Sequence, residues 1–212
     1  MNINSIVIGY HGCTNLTAEK IFKGKSHHLN KSNNDDDWLG DGIYFWENDY
    51  QRAFDWAKIA INRRKKKCIR LKKRVKHKLI KPAVVGAVII PKYCLDLTTA
   101  SDMRLLKSHY KVYEKTLLAA KIPKEAFPKN KKAYEGDVDI LHRELDCAVI
   151  HFLHKSRKKA NKIEFDSIRA TFYEGKPIYE GSGFREKSHI QWAIRNPEKC
   201  ILGYFRPFKD LA

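Results

Sequence analysis

The sequence has no apolar run long enough to cross a membrane. Its longest stretch, residues 83–90 between Pro82 and Pro91, is well short of the roughly 18 residues that a membrane-spanning helix needs. It is typical of a buried strand instead. The N-terminal apolar stretch at residues 6–10 follows no basic leader and is too short for a signal peptide. We therefore expect a cytoplasmic protein.

Cysteine is scarce, and its spacing argues against two kinds of site. The five cysteines lie far apart, are odd in number and form no C-x-x-C pair, which disfavours a disulfide framework and a thiolate zinc site. We expect reduced, mostly buried thiols. His151 and His154 are about one helical turn apart, but this pair alone falls short of a metal site, so no metal is predicted.

Negative charge is in short supply. The 42 lysines and arginines outnumber the 24 aspartates and glutamates and give a net charge of +18. A field of this sign attracts polyanions, nucleic acid first among them. Because 43% of the residues are hydrophobic and 11% are aromatic, the chain can form a core, and the basic residues decorate a folded body.

The periodicity of apolar residues predicts strands at both ends of the chain and helices between them. This arrangement favours an α+β fold in one domain over residues 1–212. Helices are predicted over residues 18–22, 50–62, 103–121 and 137–156, with Thr14 or Thr17 and Asp49 as caps. Strands are predicted over residues 5–10, 83–90, 93–97, 168–173, 178–179, 189–195 and 200–205, and residues 40–46 are predicted to form a turn that leads into a short aromatic strand.

A basic arm interrupts this pattern at residues 63–81, where twelve lysines or arginines occur without an acid. Such a run is either a solvated face or a surface that binds a polyanion. Tyr110, Tyr113 and Tyr134 lie among further lysines, as surfaces that stack exposed bases require. The candidate nucleic-acid-binding residues are Arg63, Arg64, Lys65, Lys66, Lys67, Arg70, Lys72, Lys73 and Arg74.

Three short motifs occur in a characteristic order. They are Tyr10-His11-Gly12, then Gly40-x-Gly42-Ile-Tyr44-Phe45, and near the C-terminus the segment 191–197, Gln-Trp-Ala-Ile-Arg-Asn-Pro. In these blocks the chain resembles the ADP-ribosyltransferase superfamily, in its poly(ADP-ribose) polymerase-like or diphtheria-toxin-like branch. The resemblance implies a split antiparallel β-sheet core with flanking helices. Two positions depart from the family pattern: Cys13 replaces Thr or Ser, and Gln191 replaces the catalytic Glu.

The resemblance also implies roles for individual residues, with NAD as the substrate. His11 would bind the adenosine-side ribose, and the backbone of Gly12 would bind the nicotinamide carboxamide. Tyr44 would stack on the nicotinamide ring, for which an aromatic side chain with a polar tip is suited. The expected NAD-binding residues are His11, Gly12, Cys13, Gly40, Gly42 and Tyr44.

The catalytic set implied by the resemblance is His11, Tyr44 and Gln191, and we add His189 to it from its position. The Gln191 amide can orient a ribose but cannot supply a negative charge. His189 lies two residues earlier, so on a strand both side chains share one face. It could therefore supply the acid–base group that Gln191 cannot. An ordinary polar strand residue is the alternative interpretation of Gln191.

These observations predict a NAD-dependent mono-ADP-ribosyltransferase that modifies RNA or single-stranded DNA. A compact basic enzyme of this kind would suit the toxin of a toxin–antitoxin or phage-defence system, with an acidic antitoxin as partner. Two alternatives stay open. The acceptor could be a protein side chain, or the chain could be a nucleic-acid-binding module without catalytic activity.

Overall fold

The computed structural model describes residues 2–3, 5–70, 80–133 and 135–207, and within them it has one large sheet with helices on both faces. The helices are α1 (Asn15–Phe22), α2 (Tyr50–Arg70), α3 (Ala100–Ala119), α4 (Glu144–Lys159) and α5 (Pro197–Cys200), with a 3-10 turn at Lys124–Ala126. The strands are β1 (Asn2–Ile3), β2 (Val7–Thr14), β3 (Ile43–Glu47), β4 (Pro82–Ile89), β5 (Lys92–Asp96), β6 (Asn130–Lys131), β7 (His142–Arg143), β8 (Ser167–Phe172), β9 (His189–Ile194) and β10 (Ile201–Phe205). Among the described helices, none combines the length and apolar character that crossing a membrane requires.

The large sheet has the strand order β1-β5-β8-β9-β3-β2-β4-β10, and β6 pairs with β7 separately. Each neighbouring pair is antiparallel except β5 and β8, which run parallel. This large, mostly antiparallel sheet with flanking helices agrees with the α+β class predicted from the sequence.

The sheet opens between the neighbouring strands β2 and β3. Strand β2 pairs with β4 along its whole length, from Val7 to Thr14. Its pairing with β3, within the described residues, is confined to Gly9 and Tyr10. Strand β3 continues instead along β9, from Ile43 to Trp46. A gap therefore separates the second half of β2 from the first half of β3.

Alternate residues of β4 point to opposite faces of the sheet, as the pleat requires. Val85, Ala87 and Ile89 join the main core cluster, to which α1 also contributes. Val84 belongs to a different cluster, which contains Ala53 of α2. Helices α1 and α2 therefore cover opposite faces of this half of the sheet.

The other half of the sheet is covered by α4. Ile150 and Leu153 of this helix are buried together with Leu95, Ile168 and Ala193 from three different strands. Burying side chains of this size contributes about 1.5–3 kcal/mol each. This cluster and the cluster that contains Ala53 of α2 lie on either side of the line along which β3 and β9 pair. The polar residues of the third motif lie along that line.

The predicted caps of the first two long helical segments are confirmed. Thr14 is the N-cap of α1, and its hydroxyl accepts a hydrogen bond of 3.2 Å from the backbone N–H of Thr17. The carboxylate of Asp49 accepts one of 2.9 Å from the backbone N–H of Arg52. A cap of this kind contributes about 1 kcal/mol to helix stability.

Several predicted boundaries were wrong. The strand predicted over residues 5–10 continues to Thr14 as β2, which runs directly into α1. Residues 178–179 form no strand among the described residues; an isolated bridge between Pro177 and Arg185 lies beside them. The helix expected from residue 137 begins at Glu144.

The apolar residues at positions 53, 56, 57, 60 and 61 have the spacing of one helical face, but α2 buries only part of that face. Ala53, Ala57 and Ile61 are buried, whereas Trp56 is 43% exposed and Ala60 is also exposed. Only a narrow stripe of this helix meets the sheet, because close packing at Ala53 leaves the flanking positions in solvent. Phe45 of β3, by contrast, is fully buried in the core.

The cysteines of the core are buried thiols, as predicted from their spacing. Cys94, Cys147 and Cys200 are all buried, and Cys13 is half-buried. Burial raises the pKa of Cys94 to about 12 and that of Cys200 to about 12. The Cys68 side chain lies outside the described residues.

Candidate active site

The first motif lies at the gap between β2 and β3. His11 is half-buried, and its Nδ1 is 2.8 Å from the backbone oxygen of Tyr44 on β3. Because a carbonyl only accepts, Nδ1 carries the proton and Nε2 is left as an acceptor. Desolvation lowers the pKa of His11, against a smaller opposing effect of the Tyr44 hydrogen bond. His11 is therefore a neutral imidazole that bridges the two diverging strands.

Gly12 has a packing role that the sequence did not reveal. A Cβ at this position would lie 2.0 Å from the backbone oxygen of Ala53 in α2. Helix α2 therefore contacts the backbone of β2 directly. Cys13, the next residue, packs against the main core cluster.

The second motif forms a loop and the strand that follows it. Gly40 has a φ of +73°, a left-handed conformation that favours glycine. A Cβ on Gly42 would lie 3.2 Å from atoms of Ala193. The Tyr44 hydroxyl donates a hydrogen bond of 2.7 Å to the carbonyl of Gly40 and accepts one of 2.8 Å from the N–H of Leu39. Tyr44 therefore ties the loop to the sheet, and burial raises the pKa of its hydroxyl.

The third motif places Gln191 on β9, directly opposite Trp46 of β3. Tyr44 is two residues from Trp46, so Tyr44 and Gln191 project from the same face of adjacent strands. Gln191 is only 8% exposed. Its side-chain amide has no hydrogen-bond partner among the residues that the structure describes. The fold thus places His11, Tyr44 and Gln191 on three neighbouring strands, β2, β3 and β9. The His11 ring packs beside Phe45, with centroids 5.8 Å apart, so its side chain lies on the face of the sheet opposite to Tyr44 and Gln191.

His189 shares the Gln191 face of β9, as the two-residue spacing predicted. Its side chain is buried, and the ring stacks on Phe172 with centroids 5.5 Å apart. Nδ1 donates a hydrogen bond of 2.7 Å to the carbonyl of Lys187. Burial lowers the pKa of His189 to about 4. His189 is therefore a neutral imidazole near pH 7, with Nε2 as an acceptor.

Sequence reasoning missed an ion pair beside His189. Arg52 of α2 donates a hydrogen bond of 3.0 Å from Nη2 to Oε2 of Glu174, which follows β8. The same oxygen lies 3.8 Å from Nδ1 of His189. Burial raises the pKa of Glu174 to about 6, although Arg52 opposes this shift. In the sequence, Glu174-Gly175 has the pattern of an ordinary turn, and no local signal marks the carboxylate as buried.

The predicted basic arm is described only in part. Arg63, Arg64 and Lys66 are exposed near the end of α2, and Lys65 is half-buried. Lys67 and Arg70 belong to the same helix, but their side chains lie outside the described residues. Lys72, Lys73 and Arg74 lie outside the described residues altogether, as does Tyr134.

A second basic surface lies where α4 ends. Two adjoining grooves there share Lys162, Ile163, Asp166 and Lys199 in their walls. Further cations in the grooves are Lys31, Lys92, Arg157, Lys158 and Arg195. The lining includes none of His11, Tyr44 and Gln191, although Asp41 of the second motif and Arg195 and Asn196 of the third are part of it. We call it the α4 groove.

An aromatic pair borders the α4 groove. Tyr93 and Phe165 stack with ring centroids 4.6 Å apart. The Arg157 guanidinium lies 4.5 Å from the Phe165 centroid and donates a hydrogen bond of 2.9 Å to the Tyr93 hydroxyl. The groove therefore combines positive charge with an aromatic wall.

The chain is similar in sequence to an archaeal protein. It is 29% identical to the uncharacterized protein MJ0359 of Methanocaldococcus jannaschii over 208 residues, which cover 89% of this chain and 81% of the relative. No protein-family model matches the chain. No solved structure matches it.

Proposed function

We propose that this protein is a NAD-dependent mono-ADP-ribosyltransferase that modifies RNA or single-stranded DNA. The observation that carries the proposal is the position of the three motifs on adjacent strands at the gap in the sheet. His11 on β2 reaches the backbone of Tyr44 on β3, and Gln191 on β9 shares the Tyr44 face. This arrangement supports a split-sheet transferase fold of the kind that the sequence resembles.

The residues at the gap fit a dinucleotide substrate. The Nε2 acceptor of His11 suits a ribose hydroxyl, which can donate to it. Beyond Tyr10, within the described residues, the edge of β2 that faces β3 forms no backbone pairs with that strand. The backbone N–H and C=O groups of this edge are therefore suited to hydrogen-bond a carboxamide. The Gln191 amide can hold a second ribose by hydrogen bonding. These contacts would fix the substrate in a bent conformation, and such positioning accounts for a large part of the rate enhancement in many enzymes.

Exposed aromatic residues near the site support an acceptor with unpaired bases. The segment 173–188 between β8 and β9 exposes Tyr173 at 68%, Tyr179 at 62% and Phe184 at 70%. Exposed rings of this kind stack nucleobases without requiring a particular sequence. The segment is folded back on itself, since the N–H of Ile178 donates to the carbonyl of Phe184. It begins beside Glu174, so a base stacked on it would lie near the site.

Charge supports the same class of acceptor. The net charge of +18 and the cations of the α4 groove favour a phosphate backbone. The same field would attract an acidic antitoxin, as expected for the toxin of a toxin–antitoxin or phage-defence system.

The test is to incubate the protein with labelled NAD and a mixture of RNA, single-stranded DNA, duplex DNA and cell-lysate protein. We expect label in RNA or single-stranded DNA, and none with the His11→Ala variant. Label in the protein fraction instead would make a protein side chain the acceptor. Salt-dependent RNA binding that NAD leaves unchanged, with no labelling, would identify a binding module without catalytic activity.

A further inference from the structure

The reaction proposed above needs a negative charge that position 191 does not supply. Positive charge develops on the ribose as the nicotinamide leaves, and a carboxylate stabilises it. Glu47 lies two residues after the second motif, but it is not suitably placed. It follows Trp46 directly, so its side chain projects from the face of β3 opposite to that of Trp46 and Gln191. Both of its carboxylate oxygens are already bonded to Arg169, and one also accepts from Trp192.

Glu174 supplies a carboxylate close to the β9 residues of the candidate site. Its side chain is 7% exposed, and its Oε2 lies 3.8 Å from Nδ1 of His189. His189 and Gln191 project from the same face of β9, two residues apart. Glu174 therefore places a carboxylate on the Gln191 side of the sheet.

Buried polar atoms without partners concentrate around Glu174. Among the described residues, Oε1 of Glu174, Nε2 of His189, Nε of Arg52 and Nε1 of Trp46 are buried without a hydrogen-bond partner. The Trp46 and His189 rings lie 6.3 Å apart, and Arg52 is bonded to Glu174. Folded proteins pair nearly all buried polar groups, so such a cluster indicates a ligand site.

The chemistry of the cluster indicates what it would bind. Arg52 Nε and Trp46 Nε1 are donors, whereas Glu174 Oε1 and the unprotonated His189 Nε2 are acceptors. Two donors and two acceptors complement a group that carries both functions, such as a ribose diol or a carboxamide. NAD contains both groups.

We propose that Glu174 is the catalytic carboxylate of this protein and that Gln191 only positions the ribose. The inference rests on the proposed function. The bond between nicotinamide and the ribose carbon breaks, and its electron pair leaves with nicotinamide. A lone pair of the acceptor forms the new bond to that carbon. The acceptor's proton passes to the Glu174 carboxylate, which then releases it to water.

The test measures single-turnover labelling by the full chain. Glu174→Gln keeps the shape of the side chain and removes its charge, and we expect a rate about 100- to 1,000-fold lower, the scale for losing one preorganised electrostatic contact. Glu125→Gln is the matched control, since Glu125 is exposed on the 3-10 turn Lys124–Ala126, outside the candidate site and outside the segment 173–188. We expect this control to label at the parental rate.

A second variant separates catalysis from charge pairing, because Glu174→Gln leaves Arg52 without its partner. Combining Arg52→Gln with Glu174→Gln removes both charges, and we expect the rate to stay low. A return to the parental rate would mean that Glu174 only neutralises Arg52, and the proposal would be wrong. Parental labelling by Glu174→Gln alone would overturn it as well. A parent protein that labels nothing would overturn the proposed function together with this role.

Discussion

The close contact between β2 and α2 explains why glycine follows His11, and substitution of Gly12 tests this explanation. Gly12→Ala would place a methyl group 2.0 Å from the carbonyl oxygen of Ala53 and 3.2 Å from the backbone N of Ala57. Both are backbone atoms of a helix, so neither can rotate away as a flexible side chain would. The substitution must therefore move α2 away from the sheet.

The expected cost follows from two opposing effects. Overpacking a close contact costs about 1–3 kcal/mol, and the upper end applies here because the neighbour is backbone. Replacing glycine restricts the unfolded chain and returns about 0.4–1 kcal/mol. The net loss is about 2 kcal/mol, which for a chain of this length lowers the melting temperature by roughly 4–8 °C.

Thermal unfolding followed by circular dichroism measures this effect, with Gly203→Ala as control. Gly203 lies on β10 and is exposed, and a methyl group added there would meet no atom within 4 Å beyond its two chain neighbours. Its replacement should change stability by no more than about 0.5 kcal/mol. Equal melting temperatures for the two variants would refute the reasoning. Loss of labelling by Gly12→Ala at an unchanged melting temperature would instead assign the glycine to substrate binding.

Three further predictions concern separate parts of the molecule. Tyr44→Phe removes a buried hydroxyl that pairs a backbone N–H and a carbonyl, so urea unfolding should show a loss of about 1–3 kcal/mol, and an unchanged midpoint would contradict the role of the hydroxyl. Burial holds the pKa of His154 at about 3 in the folded protein, whereas the unfolded chain binds that proton near 6.5, so stability should fall as the pH drops from about 6.5 towards 3. His154→Gln should make this dependence shallower by nearly one proton, as measured by urea unfolding between pH 4.5 and 7, and an identical slope would argue against the shift. Lys158→Glu combined with Lys162→Glu should weaken RNA binding and reduce the slope of log affinity against log salt by about one unit for each lost phosphate contact, whereas the control Lys25→Glu, at an exposed lysine outside the α4 groove, should not.

Local sequence patterns were sufficient to predict much of the fold. The apolar run at residues 83–90 predicted a buried strand, and β4 occupies nearly the same residues. The caps at Thr14 and Asp49 were also predictable, because a cap depends on side chains within three residues of the helix start. The two-residue spacing of His189 and Gln191 fixed their common face once β9 formed.

Contacts between distant segments were not predictable in the same way. The bond between Arg52 and Glu174 joins residues 122 positions apart, and no periodicity relates them. The exposure of Trp56 has a similar cause, since it depends on how closely α2 approaches β2 at Gly12 rather than on the helix's own pattern. Sequence reasoning therefore named the strand-borne residues of the candidate site and missed the residues that α2 and the segment after β8 add to it.

Two buried carboxylates, Glu47 and Glu174, differ in their hydrogen bonding, and the difference indicates where unpaired polar groups lower the stability of the fold. Glu47 is paired at both oxygens by Arg169 and by Trp192, as expected of a group whose role is structural. Glu174 is equally enclosed, yet one of its oxygens has no partner among the described residues. This oxygen and three atoms around it, on Trp46, Arg52 and His189, are four of the six such buried atoms in the described residues. Each unpaired atom costs about 1–3 kcal/mol. Most of this cost therefore falls at one place, on the face of the sheet that carries Gln191. A concentration of unmet polar groups beside an otherwise well-paired core is the pattern expected where a protein binds a ligand.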